Sequence, residues 1–166
     1  MKNISTQTFA VSSPTGKFYI EITARGIKSV SAVKPKQTLS KLPNTKLGKQ
    51  IDTAFKAFQQ GNFSPVKKLP IDAQFTPFQK TVFSKLKMIP AGKVITYGEL
   101  AKMVKKPQAA RAVGNALNKN PLLLVIPCHR VVGSTGKMTG FACGVGIKEK
   151  LLKHEGLQIK NGKVVA

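Results

Sequence analysis

Thr96-Tyr97-Gly98-Glu99 opens a short segment whose apolar residues fall at Leu100, Ala101 and Val104. After Pro107 the chain continues Gln108-Ala109-Ala110-Arg111-Ala112-Val113-Gly114-Asn115-Ala116. Thr96 followed three residues later by Glu99 is a capping box, which satisfies two of the amide groups a helix leaves open at its start. A short helix, a lysine-bearing turn and a second helix over 108–119, with Pro107 at its head, read as a helix-turn-helix. Upstream, Thr76-Pro77-Phe78-Gln79 repeats the capping logic. The helix it starts carries Val82, Phe83 and Leu86 on one face, and Ile89-Pro90-Ala91-Gly92 stops it. The second helix of the pair is nearly bare: Ala109, Ala110, Ala112, Gly114 and Ala116 surround the lone Arg111. Such a surface suits close approach to a groove, and equally suits tight helix packing with Arg111 in solvent.

Downstream stands Leu122-Leu123-Leu124-Val125-Ile126-Pro127-Cys128-His129-Arg130-Val131-Val132. The apolar run closed by Pro127 reads as a buried segment ending where the cysteine appears, so Cys128 is expected at the lip of a core. His129 and Arg130 are two groups able to lower a thiol's pKa. On its own, however, the pair fits a buried core cysteine beside a surface histidine better than a nucleophile. Farther on, 147–155 reads as a helix with Gly156 as its stop, and 157–165 as a hairpin turning at Asn161-Gly162. Glu155 taken alone is an ordinary surface acid.

The first part of the chain is quieter. Strands are expected at 8–11, at 18–22, where Phe18, Ile20 and Ile22 alternate, and at 27–33. A polar, lysine-rich connection over 35–43 follows. A helix over 47–60 then places Leu47, Ile51, Phe55 and Phe58 on one face, with Gly61 as its stop. Lys67-Lys68-Leu69-Pro70 reads as a connector. The expected class is therefore α+β: a small N-terminal α/β domain, 1–70, then a helical helix-turn-helix (winged-helix-like) domain, 75–166.

Composition narrows the partners. The chain of 166 residues carries 28 Lys and Arg against six acids, a net charge of +22. Such an excess favours a polyanion, nucleic acid first and an anionic membrane surface second. Only Arg25, Arg111 and Arg130 are arginines, and the lysines are spread along the chain, which a generally lysine-rich host would also produce. The two cysteines, Cys128 and Cys143, are too few for a disulfide framework or a four-thiolate zinc site. No apolar run approaches membrane-spanning length. Met1 to Thr6 lacks the apolar core of a secretory signal, so an intracellular, soluble protein is expected.

Pro127-Cys128-His129-Arg130-Val131, preceded by Asn120-Pro121 and followed by Gly136-Lys137-Met138-Thr139-Gly140-Phe141, resembles the active-site region of the O6-alkylguanine-DNA alkyltransferases, the methylated-DNA–protein-cysteine S-methyltransferases. The similarity runs from about Phe75 to about Gly156, with the motifs in the family's order. The resemblance implies direct DNA repair: Cys128 takes the alkyl group from O6-alkylguanine and is irreversibly consumed, with no cofactor; the zinc site that some relatives carry in their N-terminal domain is not expected, since residues 1–66 hold neither Cys nor His. Lys148-Glu149-Lys150-Leu151-Leu152-Lys153-His154-Glu155-Gly156 matches the segment that delivers the family's buried glutamate. That assigns Glu155 to orient His129, which draws the thiol proton through a water. Asn120 would tie the helix-turn-helix to the active-site segment. Tyr97 would steer the phosphate backbone and donate a proton to the leaving guanine.

By the same resemblance the helix bearing Ala110, Arg111 and Ala112 enters the minor groove, and Arg111 takes the space of the flipped nucleotide. Cys128 and Val131 would read the base edge through their backbone groups. The loop 139–144, with Phe141 and Ala142, would close the pocket. The implied partner is double-stranded DNA carrying O6-alkylguanine, met by a monomer in the cytoplasm, or in the nucleus of a eukaryote. Phe141 stands where many relatives have Tyr, and Cys143 where glycine is usual. Relatives that flag the lesion without repairing it replace the nucleophile, usually with tryptophan; this chain has Cys128 and no Trp. A general DNA-coating protein would need no Cys-His-Glu set. A cysteine hydrolase or redox enzyme lacks support here, since no Cys-x-x-Cys pair or hydrolase signature is present.

Overall fold

The computed structural model describes residues 6–165; the reading of Met1 to Ser5 as lacking a signal lies outside them. The chain forms two compact units, one of Met1–Gln74 with Pro121–Val125 and one of Phe75–Asn120 with Ile126–Ala166. A division into 1–70 and 75–166 treats each domain as one continuous stretch, whereas Pro121–Val125 groups with the first unit. The reason is an open strand edge. Val30 donates to the Pro121 carbonyl at 2.8 Å and its own carbonyl accepts from Leu123 at 3.1 Å, so the apolar run pairs with an edge that would otherwise present bare amide groups.

In the first unit β1 (Gln7–Ser13), β2 (Gly16–Ile22) and β3 (Ile27–Ser31) form an antiparallel sheet in sequence order. The alternation read in β2 holds: Phe18, Ile20 and Ile22 are buried. α1 (Lys46–Gln59) is capped by Thr45, whose side chain accepts from Gly48 N, and it buries Ile51, Ala54, Phe55 and Phe58. Phe18 meets Phe55 and Phe58 with ring centroids 6.3 and 6.4 Å apart, a distance at which aromatic edges and faces attract. A single helical turn, α2 (Ser64–Lys67), follows.

The second unit begins with α3 (Pro77–Lys87), which has the expected capping box and buries Val82, Phe83 and Leu86. β4 (Ile95–Thr96) leads into α4 (Tyr97–Met103), again with its capping box formed. The helix expected over 108–119 is shorter: α5 runs Ala110–Asn118. Pro107 and Gln108 sit in a turn before it, closed by Ala109 N donating to the Lys106 carbonyl at 2.8 Å. Val113, Ala116 and Leu117 form the buried stripe of α5.

β5 (Val131–Val132) pairs in parallel with β4, Ile95 against Val131 and Thr96 against Val132. α6 (Val145–His154) is followed by its C-cap Glu155 and then by Gly156, whose φ of 89° suits a residue without a side chain. β6 (Gln158–Lys160) and β7 (Lys163–Val165) make the hairpin, with Asn161 and Gly162 both at positive φ as a two-residue primed turn requires. No helix among the described residues is long and apolar enough to cross a membrane.

Candidate active site

Cys128, His129 and Arg130 form one turn of 3₁₀ helix immediately after Pro127, and all three are buried. Val131 and Val132 then enter β5 beside β4, the strand that feeds α4. The cysteine is therefore held on one side by its own turn and on the other by the parallel pair that starts the helix-turn-helix. Cys128 is 8% exposed, which puts it at the lip of the core.

Asn120, just past the end of α5, reaches both sides of that turn. Its Nδ2 donates to the Ile126 carbonyl at 3.0 Å and to Cys128 Sγ at 3.1 Å. The first bond fixes the bend before the cysteine, and the second places a donor on the sulfur. A donor there favours the thiolate. Burial wins all the same: it pushes the Cys128 thiol up to about 11, with Asn120 and Lys148 drawing it down and Cys143 adding to the rise. The flanking His129 and Arg130, two groups able to lower a thiol's pKa, are not among the groups that set this one. Arg130 does not serve the thiol at all, because its guanidinium is engaged elsewhere.

That engagement is the centre of the site. Glu155, the C-cap of α6, has its side chain only 1% exposed. Its Oε1 lies 2.9 Å from His129 Nε2 and accepts from Arg130 Nη2 at 2.6 Å. Arg130 Nε bonds both carboxylate oxygens at 3.1 and 3.0 Å, and Arg130 Nη1 donates to the Ile89 carbonyl at 2.6 Å. Gly92 N donates to Oε2 at 3.2 Å. Burial alone would raise this carboxyl, but His129 and Arg130 together bring it down to about 2, so it is an anion at neutral pH.

An ionised Glu155 sets the imidazole. It accepts the Nε2 proton and leaves Nδ1 as the basic atom, a tautomer assigned from the hydrogen-bond network. Nδ1 is buried and has no partner among the described residues. Burial, opposed by Glu155 and reinforced by the Arg130 and Lys148 charges, lowers the His129 pKa. The ring is therefore neutral at pH 7 and able to accept a proton.

The remaining expected residues divide in two. Tyr97 starts α4; its OH donates to the Thr139 carbonyl at 3.3 Å, and its ring lies where a Cβ on Gly114 would come within 3.7 Å. Gly114 thus leaves room for the tyrosine on α5. Arg111 and Ala112 are exposed and Ala110 half-buried at the start of α5. Phe141 is half-buried and Ala142 exposed in the loop, where Gly144 N closes a turn on the Phe141 carbonyl at 2.8 Å. Val131 is buried, with its carbonyl accepting from Lys148.

Two participants were missed from the sequence. One is Arg130 as the counter-ion of Glu155, 2% exposed. The other is Lys148, fully buried, whose Nζ donates to the Val131 carbonyl at 2.6 Å and the Thr139 carbonyl at 3.2 Å. A signal for Lys148 existed: 148, 151, 152 and 155 share one helical face, so the lysine lies on the same stripe as Leu151, Leu152 and Glu155.

Comparison with known proteins places this cluster in context. The model of the 6-O-methylguanine DNA methyltransferase DNA-binding domain matches residues 77–157. A methylated-DNA–protein-cysteine methyltransferase of Methanosarcina acetivorans is 57% identical over 67 residues, 40% of this chain and 43% of that protein. The chain spans about half the length of the curated relatives it matches. The crystal structure of a variant of the Mycobacterium tuberculosis O6-methylguanine methyltransferase is 30% identical, with a TM-score of 0.74 over 91% of this chain and 93% of that one. The M. tuberculosis protein in complex with DNA is 29% identical, with a TM-score of 0.76 over 90% and 92%.

Proposed function

This chain belongs to the O6-methylguanine-DNA methyltransferase family, and we propose that it repairs O6-alkylguanine in double-stranded DNA by moving the alkyl group irreversibly onto its own Cys128. The observation that carries the proposal is the buried Glu155–His129 pair next to Cys128. A buried anionic Glu155 holds Nε2 of His129, and the ring's other nitrogen is left unpartnered beside the cysteine turn. His129 takes the thiol proton onto Nδ1, relayed by a water, as the S–C bond forms. The C–O6 bond breaks with its electron pair left on the guanine, which takes a proton from Tyr97; histidine and tyrosine then exchange protons with solvent.

A thiol held up at about 11 suits this task. At neutral pH only a small fraction is thiolate, which slows side reactions with stray electrophiles, an advantage for a reagent used once. A base inside a duplex is out of reach, so it must be flipped out; α5 enters the groove with the half-buried Ala110 and the exposed Ala112 flanking Arg111, which fills the gap. The backbone of Cys128 and Val131 reads the flipped base, while Phe141 and Ala142 close over it. The chemistry lies in the second unit and needs neither cofactor nor metal. The protein acts as a monomer wherever the chromosome is, in the cytoplasm or in the nucleus of a eukaryote.

Intact-protein mass after incubation with a duplex carrying one O6-methylguanine tests the reading. One methyl gained per molecule is expected, retained in Cys143→Ser and absent in Cys128→Ser. Tight lesion-selective binding with no mass gain would instead indicate a protein that flags the lesion. Neither gain nor selectivity would leave a basic DNA-coating protein.

A further inference from the structure

Lys148 is the most unusual charge in the second unit. Its side chain is fully buried on α6, and among the described residues no carboxylate lies within ion-pair distance of it. Its ammonium donates instead to two backbone carbonyls, those of Val131 and Thr139. A buried ammonium without a counter-ion is expensive, so one retained in the interior calls for a compensating anion at some stage. The carboxylate of the site is not that anion, since Glu155 is held by Arg130 and His129. The group that can become one is the Cys128 thiol, three residues before Val131, in the turn whose Cys128 carbonyl accepts from Val131 N.

We propose that Lys148 is a positioning residue for the transfer step: it ties Thr139, at the head of the loop, to the strand after the nucleophile, and it holds a positive charge beside the Cys128 thiolate as it forms. The idea rests on the reading of Cys128 as the nucleophile. Thr139 is a shared anchor, because its carbonyl also accepts from Tyr97 OH. The groups acting on the thiol are Asn120, Cys143 and Lys148, while His129, Arg130 and Glu155 complete the surrounding charges. Burial lowers Lys148 to about 8 and the Cys128 charge draws it back up, while Lys148 in turn draws the thiol down.

The two roles of Lys148 separate with pH. A neutral amine still donates to carbonyls, so the tie survives deprotonation, but the charge does not. At neutral pH the lysine is protonated and its charge assists the thiolate; above about 8 that assistance fades. The experiment compares wild type, Lys148→Gln and Lys148→Arg, all carrying Cys143→Ser, from pH 6.5 to 10. Single-turnover methyl transfer from the O6-methylguanine duplex and Cys128 labelling by iodoacetamide are both read by intact mass.

Glutamine keeps a donor and removes the charge. It is expected to slow both reactions roughly tenfold at pH 7, the equivalent of about one pH unit in thiol pKa, with the gap closing above pH 9. Arginine stays charged, so its rate relative to wild type should climb over the same range. A rate ratio for Lys148→Gln that is flat with pH overturns the charge role. Should that variant not fold, a flat ratio for Lys148→Arg overturns it equally. Absence of methyl transfer in wild type, with the pH-dependent ratio still present in iodoacetamide labelling, would sink the repair reading and leave standing only the effect of the Lys148 charge on the Cys128 thiol.

Discussion

Replacing Glu155 with glutamine removes the one anion shared by two buried basic groups. Arg130, 2% exposed, keeps its full charge and loses its counter-ion, while His129 loses the acceptor that fixes its tautomer. The magnitude follows from the carboxyl itself. It is lowered from its ordinary 4.5 to about 2, which at about 1.4 kcal/mol per pH unit corresponds to roughly 3 kcal/mol of stability at neutral pH. Removing one partner of a buried pair typically costs about 3–5 kcal/mol, in agreement. The sign is that of a depressed acid: the stability is fully present above pH 4.5 and is lost as pH falls toward 2. Urea unfolding, followed by circular dichroism and by exposure of Cys128 to a thiol reagent, should show Glu155→Gln about 3 kcal/mol less stable at pH 7. Its acid loss between pH 4.5 and 2 should be correspondingly shallower. Adding Arg130→Met should restore much of the deficit, because it removes the stranded charge. Methyl transfer should fall about a hundredfold in the single variant, as for loss of a general base's orientation. A Glu155→Gln protein within about 1 kcal/mol of wild type, with an unchanged acid limb, would refute the buried-anion reasoning.

Asn120→Ala removes donors to Cys128 Sγ and the Ile126 carbonyl. It should cost about 1–2 kcal/mol and move the pH profile of Cys128 labelling upward. Arg111→Ala should slow transfer from duplex DNA while leaving iodoacetamide labelling unchanged, since the side chain is exposed on α5 and is not among the groups that act on the thiol. In a chain of net charge +22, affinity for any duplex should fall steeply between about 50 and 200 mM salt, by about 10³-fold or more if six or more phosphates are contacted; fluorescence anisotropy would measure it. Gly26→Ala would bring a Cβ within 2.7 Å of the Pro70 carbonyl oxygen. It should lower stability by about 1–3 kcal/mol, seen as an earlier unfolding midpoint.

Local chemistry was legible in the residues alone. The capping boxes at Thr76 and Thr96, the alternation of Phe18, Ile20 and Ile22, the turn at Asn161-Gly162 and the stop at Gly156 all depend on a few consecutive residues, and each is formed. The Cys-His-Glu set was legible through family resemblance, and His129 and Glu155 do meet. What one stretch cannot encode is which long-range partner a side chain takes. Arg130 follows His129 in sequence yet turns to a carboxylate 25 residues away rather than to the thiol. Pro121–Val125 groups with the first unit because an open edge of β3 needs amide partners. The thiol's pKa belongs to this second kind of fact. The neighbouring residues offered two groups able to lower it, but burial, which only the packed chain creates, raised it to about 11. Desolvation is a property of everything around a group, and so the tertiary structure, not the residues flanking Cys128, decided how its proton is held.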